Sequence, residues 1–125
     1  MSLSFPSKPG VRLVRVDSSN LPEMANIQNG FALLFINSKT SSISLNENCD
    51  PTVRSDFNTA LELIATSVEL DLKAALKSVL VGRAICVPIT NGQFNGGTWQ
   101  GVYICNWGDA DEQPVRVSAV CVSST

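Results

Sequence analysis

The sequence predicts an α+β fold in which two helices pack against a mainly antiparallel β-sheet. The predicted elements follow the order β-β-β-α-α-β-β-β, with short turn sequences that favour hairpins between strands. Asp50 and Pro51 are typical of a helix start, and Asn91 and Gly92 tolerate the positive φ angles of a type I′ turn. With 125 residues, 44% of them hydrophobic, the chain has the size and apolar content of one domain covering residues 1–125.

Three strands are predicted before the helices. Residues 11–16 are rich in β-branched side chains and lead into a polar stretch that favours a loop or a brief helix. Residues 31–36 form a near-continuous apolar run, which is typical of a central strand buried on both faces. Residues 42–45 alternate polar and apolar side chains, so we expect a hairpin with the preceding strand in which Ile43 and Leu45 face the core.

Two helices are predicted between residues 50 and 82. The Asp50 side chain can accept hydrogen bonds from free N–H groups at the first helix start, and Gly82 can end the second helix. The expected apolar face of the first helix contains Val53, Phe57, Ala60, Leu61 and Ile64. The expected apolar face of the second contains Leu72, Ala75, Leu76, Val79 and Leu80, with Lys73 and Lys77 outside it.

The last third of the chain is predicted to form strands at residues 84–89, 98–106 and 115–122. Pro88 has no N–H to donate to a neighbouring strand, so the first of these strands should lie at a sheet edge or end at Pro88. The other two strands flank an acidic loop at residues 109–113.

The composition excludes several classes of function. Nine basic and eleven acidic residues give a net charge of −2, which offers no electrostatic footprint for a nucleic acid or an anionic membrane surface. The chain contains no histidine, so it lacks its own His base, His metal ligand and Ser–His or Cys–His pair. We therefore expect neither nucleic acid nor membrane as a partner.

The cysteines and the N-terminus predict a cytoplasmic protein. The four cysteines form no C-x-x-C pair, and we interpret them as reduced thiols of an intracellular protein. The first ten residues have neither the apolar run of a signal peptide nor the arginine-rich pattern of a transit peptide. Cys49 is close to two carboxylates, which disfavour the nucleophilic thiolate.

A cluster of polar residues lies between a strand end and a helix start, and it contains Asn46, Glu47, Asn48 and Asp50. A helix start offers free N–H donors that suit a phosphate or carboxylate, while the two carboxylates could transfer a proton or hold a hard cation. Alternatively, these residues only cap and turn the chain. Arg54 could bind an anion at the same helix start, or form a surface ion pair with Asp50.

A second candidate site contains Thr98, Trp99 and Gln100, which follow two glycine-containing turns. The glycines would let the backbone approach a ligand, and the indole ring could stack on it or wall a pocket. The structural alternative is a tight hairpin in which Trp99 fills the core or a subunit interface.

Two long motifs in this order resemble those of the YjbQ-like family. Residues 45–57 (LNENCDPTVRSDF) resemble the family pattern NENxDPxVRxDF at a helix start. Residues 87–94 (VPITNGQF) and 97–105 (GTWQGVYIC) resemble its hairpin PITNGRL…GTWQGIYLCE. The resemblance extends from about residue 4 to the last strand.

This resemblance implies a seven-stranded, two-sheet β-sandwich with two packed helices. It also implies a homotrimer whose sheets pack about the threefold axis, with a cleft near the subunit boundaries. Members of the family are commonly described as thiamine-phosphate synthases, which join a pyrimidine diphosphate to a thiazole phosphate.

The sequence departs from the family pattern where the metal site is expected. Family members carry histidines at the positions of Arg12 and Ser38, and a loop RHxxEGPDDxPAH between the helices that this chain lacks. Without imidazole we expect the family's zinc site to be lost, leaving Glu47 and Asp50 with at most a weak Mg²⁺ or Ca²⁺ site. No cofactor is therefore expected.

The leading hypothesis is a trimeric YjbQ-like protein that has lost, or greatly weakened, the metal-dependent chemistry and acts as a binding or structural module. The alternative is an enzyme with a rebuilt site for a small phosphorylated or anionic molecule. In that case Glu47 serves as acid or base with Asp50, and the ligand is oriented by Asn46, Asn48, Arg54, Thr98, Trp99 and Gln100.

Overall fold

The computed structural model describes residues 1–47, 50, 52–65, 70–97, 100–109 and 113–124. The first half contains the strands β1 (Ser2–Phe5), β2 (Gly10–Val14), β3 (Asn29–Ile36) and β4 (Ser41–Glu47), with a 3-10 helix at Pro22–Asn26. The helices are α1 (Thr52–Ala65) and α2 (Leu70–Val81). The second half contains β5 (Ala84–Thr90), β6 (Gln93–Phe94), β7 (Gln100–Asn106) and β8 (Val115–Ser123).

The described strands form two antiparallel sheets, which confirms the α+β prediction. The five-stranded sheet has the order β1-β8-β3-β5-β6, and the three-stranded sheet has the order β2-β7-β4. The helices pack on the three-stranded sheet, α1 against β2 and α2 against β4. Eight strands are therefore described, one more than the family resemblance implies, and they include the two-residue β6.

The main core lies between the two sheets. The three-stranded sheet contributes Ile43, Val102 and Ile104, and the larger sheet contributes side chains such as Leu34, Ile36 and Val117. Leu21, Met24 and Ile27 from the segment around the 3-10 helix complete this core. Tyr103 and Cys105 are buried as well but point to the other face of β7, where the helices lie.

The strand β3 is central, between β5 and β8, but it is not buried on both faces as its sequence predicted. Its even-numbered side chains from Ala32 to Ile36 face the core. Phe31, Leu33 and Phe35 point to the opposite face of the sheet and remain exposed in the single chain. The continuous apolar run therefore gives β3 two apolar faces. Within the single chain, only the face toward the core is buried.

The predicted hairpin between β3 and β4 is wrong, because β4 pairs with β7 and belongs to the other sheet. The bend between Ile36 and Ser41 carries the chain from one sheet to the other. The inward orientation of Ile43 and Leu45 is confirmed, since strand alternation does not depend on which strand is the partner. The strands flanking the acidic loop, β7 and β8, also lie in different sheets.

The buried faces of the helices differ from the predicted ones. In α1, Leu61 and Ala65 are buried and Phe57 is half-buried, whereas Ile64 is exposed. Among the α2 side chains whose burial is described, Lys77 and Ser78 are buried, while the predicted residues Leu72, Val79 and Leu80 are more than half exposed. Hydrophobic spacing failed for α2 because polar contacts dock this helix on the sheet.

Several local turn predictions are confirmed. Asn91 and Gly92 have φ angles of 52° and 74° and join β5 to β6. Gly82 ends α2 with a φ of 100°, and its N–H donates to the carbonyl of Ser78. One side of β5 pairs with β3 along the strand, whereas the other side pairs with β6 only at Ile89 and Thr90. Pro88 therefore lies on a largely open sheet edge.

Candidate functional site

The predicted polar cluster lies at one end of the three-stranded sheet. Pairing of β4 with β7 places Glu47 opposite Gln100 and Asn46 opposite Gly101. The Tyr103 hydroxyl donates a 2.7 Å hydrogen bond to the backbone carbonyl of Glu47 and fixes the end of β4. The structure therefore brings together Asn46, Glu47 and Gln100, which are far apart in the sequence.

The two amide side chains of this cluster hold nearby backbone. The Asn46 Oδ1 accepts a 2.8 Å hydrogen bond from the N–H of Glu47. The Gln100 Oε1 accepts a 3.0 Å bond from the N–H of Gly97, whose carbonyl accepts from the Gln100 N–H. These contacts support the interpretation that Asn46 and Gln100 shape turns.

The Asp50 carboxylate acts as a helix cap. Its Oδ1 accepts hydrogen bonds from the Thr52 N–H at 3.0 Å and the Thr52 hydroxyl at 2.9 Å. Because both bonds favour the charged form, they hold the pKa of Asp50 below its ordinary value. The capping interpretation of Asp50 is therefore confirmed, and its carboxylate is already engaged at the start of α1.

Arg54 is half-buried in the first turns of α1. It forms no ion pair with Asp50, so the predicted surface pair is wrong. Its Nε is buried and has no hydrogen-bond partner in the described part of the chain. The other predicted site residues, Asn48, Thr98 and Trp99, lie outside the described residues.

No group of three or more Cys, Asp or Glu side chains in the described ranges is placed to hold a metal ion. At the positions where the family pattern has histidine, Arg12 donates to the carbonyl of Pro6, and the Ser38 hydroxyl accepts a 3.1 Å bond from the Thr40 N–H.

Burial raises the pKa of the Cys105 thiol to about 12, so this cysteine stays protonated at neutral pH.

A polar interface that the sequence did not predict docks α2 on β4. The Ser42 hydroxyl donates to the carbonyl of Ser78 at 3.1 Å, and the Ser78 hydroxyl donates to the carbonyl of Ser41 at 2.8 Å. The indole N–H of Trp107 donates to the Ser42 hydroxyl, and the Arg83 guanidinium donates to the Ser78 hydroxyl. Small serines at these positions allow the helix and strand to approach closely.

Lys77 lies beside this interface, with 7% of its surface exposed. Its ammonium is ion-paired with Glu62 and lies 5.5 Å from the centre of the Trp107 ring. The hydrogen bond and the charge of Lys77 lower the pKa of Glu62. Lys77 thus links α1 and α2 to the Trp107 side chain after β7, although helical periodicity placed it outside the apolar face of α2.

The outward face of the five-stranded sheet is largely apolar. We call it the outer face and define it by Phe31, Leu33, Phe35, Val120 and Val122. Strand pairing places Leu33 directly between Val120 and Cys86, and Phe31 between Val122 and Pro88. Leu33 is 44% exposed and Val120 57% exposed. Contiguous apolar side chains of this size on a sheet are typical of an interaction surface.

The family model described as UPF0047 protein YjbQ-like matches residues 2–122 of the chain. The chain belongs to the YjbQ family. It is 31% identical to the UPF0047 protein YjbQ of Escherichia coli O157:H7 over 114 residues, which cover 83% of this chain and 82% of that protein. It is 36% identical to the UPF0047 protein YugU of Bacillus subtilis over 88 residues, covering 65% and 67% of the two chains.

Solved structures of YjbQ-like proteins share the fold. A YbjQ-like protein of unknown function from Sulfolobus solfataricus superposes with a TM-score of 0.80 at 16% identity, over 99% of this chain and 96% of that one. An uncharacterised YjbQ/UPF0047 protein from Clostridium acetobutylicum superposes with a TM-score of 0.79 at 24% identity, over 98% and 99% of the chains. The YjbQ/UPF0047 family is thus one of uncharacterised function.

The helices α1 and α2 are both too short to cross a lipid bilayer, and no other helix of the described residues meets the length and hydropathy that a membrane span requires.

Proposed function

We propose that this YjbQ-family chain is a cytoplasmic, homotrimeric binding module in which the metal-dependent, thiamine-phosphate-synthase-like chemistry is lost or greatly weakened. The observation that carries the proposal is the outer face. Exposure of a contiguous apolar sheet face to water is unfavourable. A second copy of the chain offers an apolar face of the same kind that can cover it. The number of three subunits comes from the family resemblance.

The arrangement of the outer face supports self-association. Its residues come from the two central strands β3 and β8, so they lie in the middle of the sheet rather than along an edge. Neither helix covers them, because α1 and α2 pack on the other sheet. Packing between copies would remove the aromatic rings of Phe31 and Phe35 from water.

Weakened metal chemistry is supported by the residues that replace the family's histidines. Arg12 carries a positive charge that disfavours a cation, and the Ser38 hydroxyl is a weak ligand for zinc compared with imidazole. Asp50 already serves as a helix cap, so a Mg²⁺ site at Glu47 and Asp50 would compete with the start of α1. Any such site is expected to be weak and rich in water.

The proposal is tested on the purified 125-residue chain by light scattering, metal analysis and an assay with thiamine precursors. We expect a trimer mass, no stoichiometric zinc, and turnover far below that of the Escherichia coli relative measured in parallel. A monomer at all concentrations would contradict self-assembly. Comparable turnover that a chelator abolishes would contradict the loss of metal chemistry.

A second candidate function is an enzyme acting on a small anionic substrate at the start of α1. Arg54 supports this candidate function. Its buried guanidinium Nε has no described hydrogen-bond partner, so its N–H is free to donate to an acceptor oxygen of a ligand. Calorimetric titration with inorganic pyrophosphate, compared between wild type and Arg54→Gln, tests this idea, with Arg15→Gln as an exposed control. Equal heats for all three proteins would argue against an anion site here.

Within that candidate, Glu47 is the proposed acid or base. Glu47→Gln is expected to abolish any turnover found while leaving the melting temperature unchanged. If the substitution instead lowers the melting temperature without affecting turnover, Glu47 is a structural residue at the end of β4.

A further inference from the structure

A polar cleft of about 280 Å³ opens at the end of the three-stranded sheet away from the predicted cluster. Its lining includes Ser7, Asn37, Ser38, Thr40, Asp109 and Arg116. The strand β4 begins beside this cleft at Ser41 and ends in the cluster at Glu47, so the two places lie roughly 20 Å apart at about 3.3 Å per residue. The cleft is therefore distinct from the cluster around Glu47, and it includes Ser38, where the family pattern has histidine.

The floor of the polar cleft is held in place by hydrogen bonds of the buried Asn106 and of the Thr40 carbonyl. Asn106 is only 4% exposed. Its Nδ2 donates to the Ser7 hydroxyl at 3.4 Å and to the Asp109 carbonyl at 3.3 Å, while its Oδ1 accepts from the Gly108 N–H at 3.1 Å. The Thr40 carbonyl accepts a 2.8 Å bond from the Trp107 N–H. Three separate segments of the chain are thus fixed around one small cavity before any ligand binds.

The walls offer hydroxyl donors to a ligand. The Ser7 hydroxyl accepts a hydrogen bond from Asn106, and the Ser38 hydroxyl accepts one from the Thr40 N–H. Since each hydroxyl also carries one proton, both can donate to an acceptor in the cleft. A ligand with several acceptor oxygens would match this arrangement.

The cleft also contains one group of each charge. Asp109 and Arg116 both line it, and neither forms an ion pair with the other or with another residue of the described ranges. Arg116 can bind a carboxylate through two parallel N–H bonds, and the Asp109 carboxylate can accept hydrogen bonds from an ammonium group. A simple anion would gain from one of these residues and be repelled by the other.

We propose that the polar cleft binds a small zwitterion, a molecule of amino-acid size that carries one carboxylate and one ammonium group. The carboxylate contacts Arg116 and the ammonium contacts Asp109, while the serine hydroxyls bind the remaining oxygens. The volume lies near the lower end of the roughly 300–1,000 Å³ typical of small-molecule pockets, which favours an amino acid over a nucleotide.

The test is calorimetric titration of the 125-residue chain with glycine, L-serine and L-glutamine, and with charge-deleted analogues of serine. Serinamide lacks the carboxylate, and glycerate lacks the ammonium group. We expect at least one of the three amino acids to bind with a Kd below about 10 mM. For serine, each deletion should weaken binding at least tenfold. Inorganic phosphate and ribose should bind no better than the deleted analogues.

Two variants then assign the charges. Arg116→Gln should remove the preference for serine over serinamide, and Asp109→Asn should remove the preference for serine over glycerate. Arg15→Gln and Asp17→Asn are matched controls, because these residues form an exposed ion pair elsewhere. The melting temperature and the mass in solution are measured for every variant, so unfolding or disassembly is distinguished from a lost contact.

The proposal is overturned if none of the three amino acids binds, or if phosphate or ribose binds as well as the amino acids. It is also overturned if both charge variants keep the wild-type preferences. Because the titration does not depend on the number of subunits, a monomeric protein that binds serine would contradict the proposed trimer and leave the cleft proposal intact.

Discussion

Replacing Leu33 by glutamate is expected to dissociate the proposed trimer without unfolding the subunit. Leu33 is 44% exposed in the single chain. Burial of this exposed part in the trimer interface contributes roughly 1 kcal/mol per subunit, because complete burial of a leucine contributes about 1.5–3 kcal/mol. Three subunits lose about 3 kcal/mol together, which lowers the trimer association constant roughly a hundredfold.

The ratio of trimer to monomer depends on the square of the monomer concentration, so a hundredfold change in the association constant moves the midpoint of dissociation about tenfold. Burying the glutamate carboxylate adds a desolvation cost of several kcal/mol. This cost lowers the trimer association constant by a further factor of about 10² or more. Sedimentation velocity over a concentration series should therefore show monomer for Leu33→Glu where the wild type is trimeric.

Leu63→Glu is the matched control, because Leu63 is 69% exposed on α1 and far from the outer face. It should keep the wild-type mass. Far-UV circular dichroism is expected to be unchanged in both variants, since neither side chain belongs to the main core. If Leu33→Glu stays trimeric while the wild type is trimeric, the outer face is not the interface.

Three further predictions concern stability, measured by urea denaturation. Ser78→Ala should lower the free energy of unfolding by about 1–3 kcal/mol, because it leaves a buried carbonyl and a guanidinium N–H without partners. Exposed Ser4→Ala should change little. Gly30→Ala should cost at least about 1–3 kcal/mol, since an added Cβ would lie 2.0 Å from the Val122 carbonyl oxygen; wild-type stability would contradict the described pairing of β3 with β8. Asp50→Ala should be less stable than wild type at neutral pH, and the difference should vanish in acid. The pKa of Asp50 is lowered in the folded state, so its cap stabilises above the ordinary value of 3.8 and is lost as the pH falls through the folded-state pKa.

Local chemistry could be predicted from the sequence wherever a few adjacent residues determine it. The hairpin turn at Asn91, the end of α2 at Gly82 and the cap at Asp50 each follow from one residue's conformational or hydrogen-bonding preference. The partners of β4 and the separation of β7 from β8 could not be predicted, because alternating apolar residues specify a face but not the neighbouring strand.

The candidate sites could likewise be predicted only where adjacent residues define them. The local composition predicted a site at Asn46 and Glu47, whereas their positions opposite Gly101 and Gln100 depend on strand register. The polar cleft draws its lining from four separate segments of the chain, and none of them has a local sequence pattern. The buried side of α2 escaped prediction because Lys77 is covered by an aromatic ring and a carboxylate from other elements.

Docking of α2 through serine hydroxyls has a consequence for how the molecule opens. An interface held by hydrogen bonds hides little hydrocarbon, so its separation should carry only a small heat-capacity change. Hydrogen exchange would then report α2 as a unit with a low free energy of opening, which detaches before the sandwich unfolds. The rigid part of this protein would be its two sheets, with the second helix as an element that separates from β4.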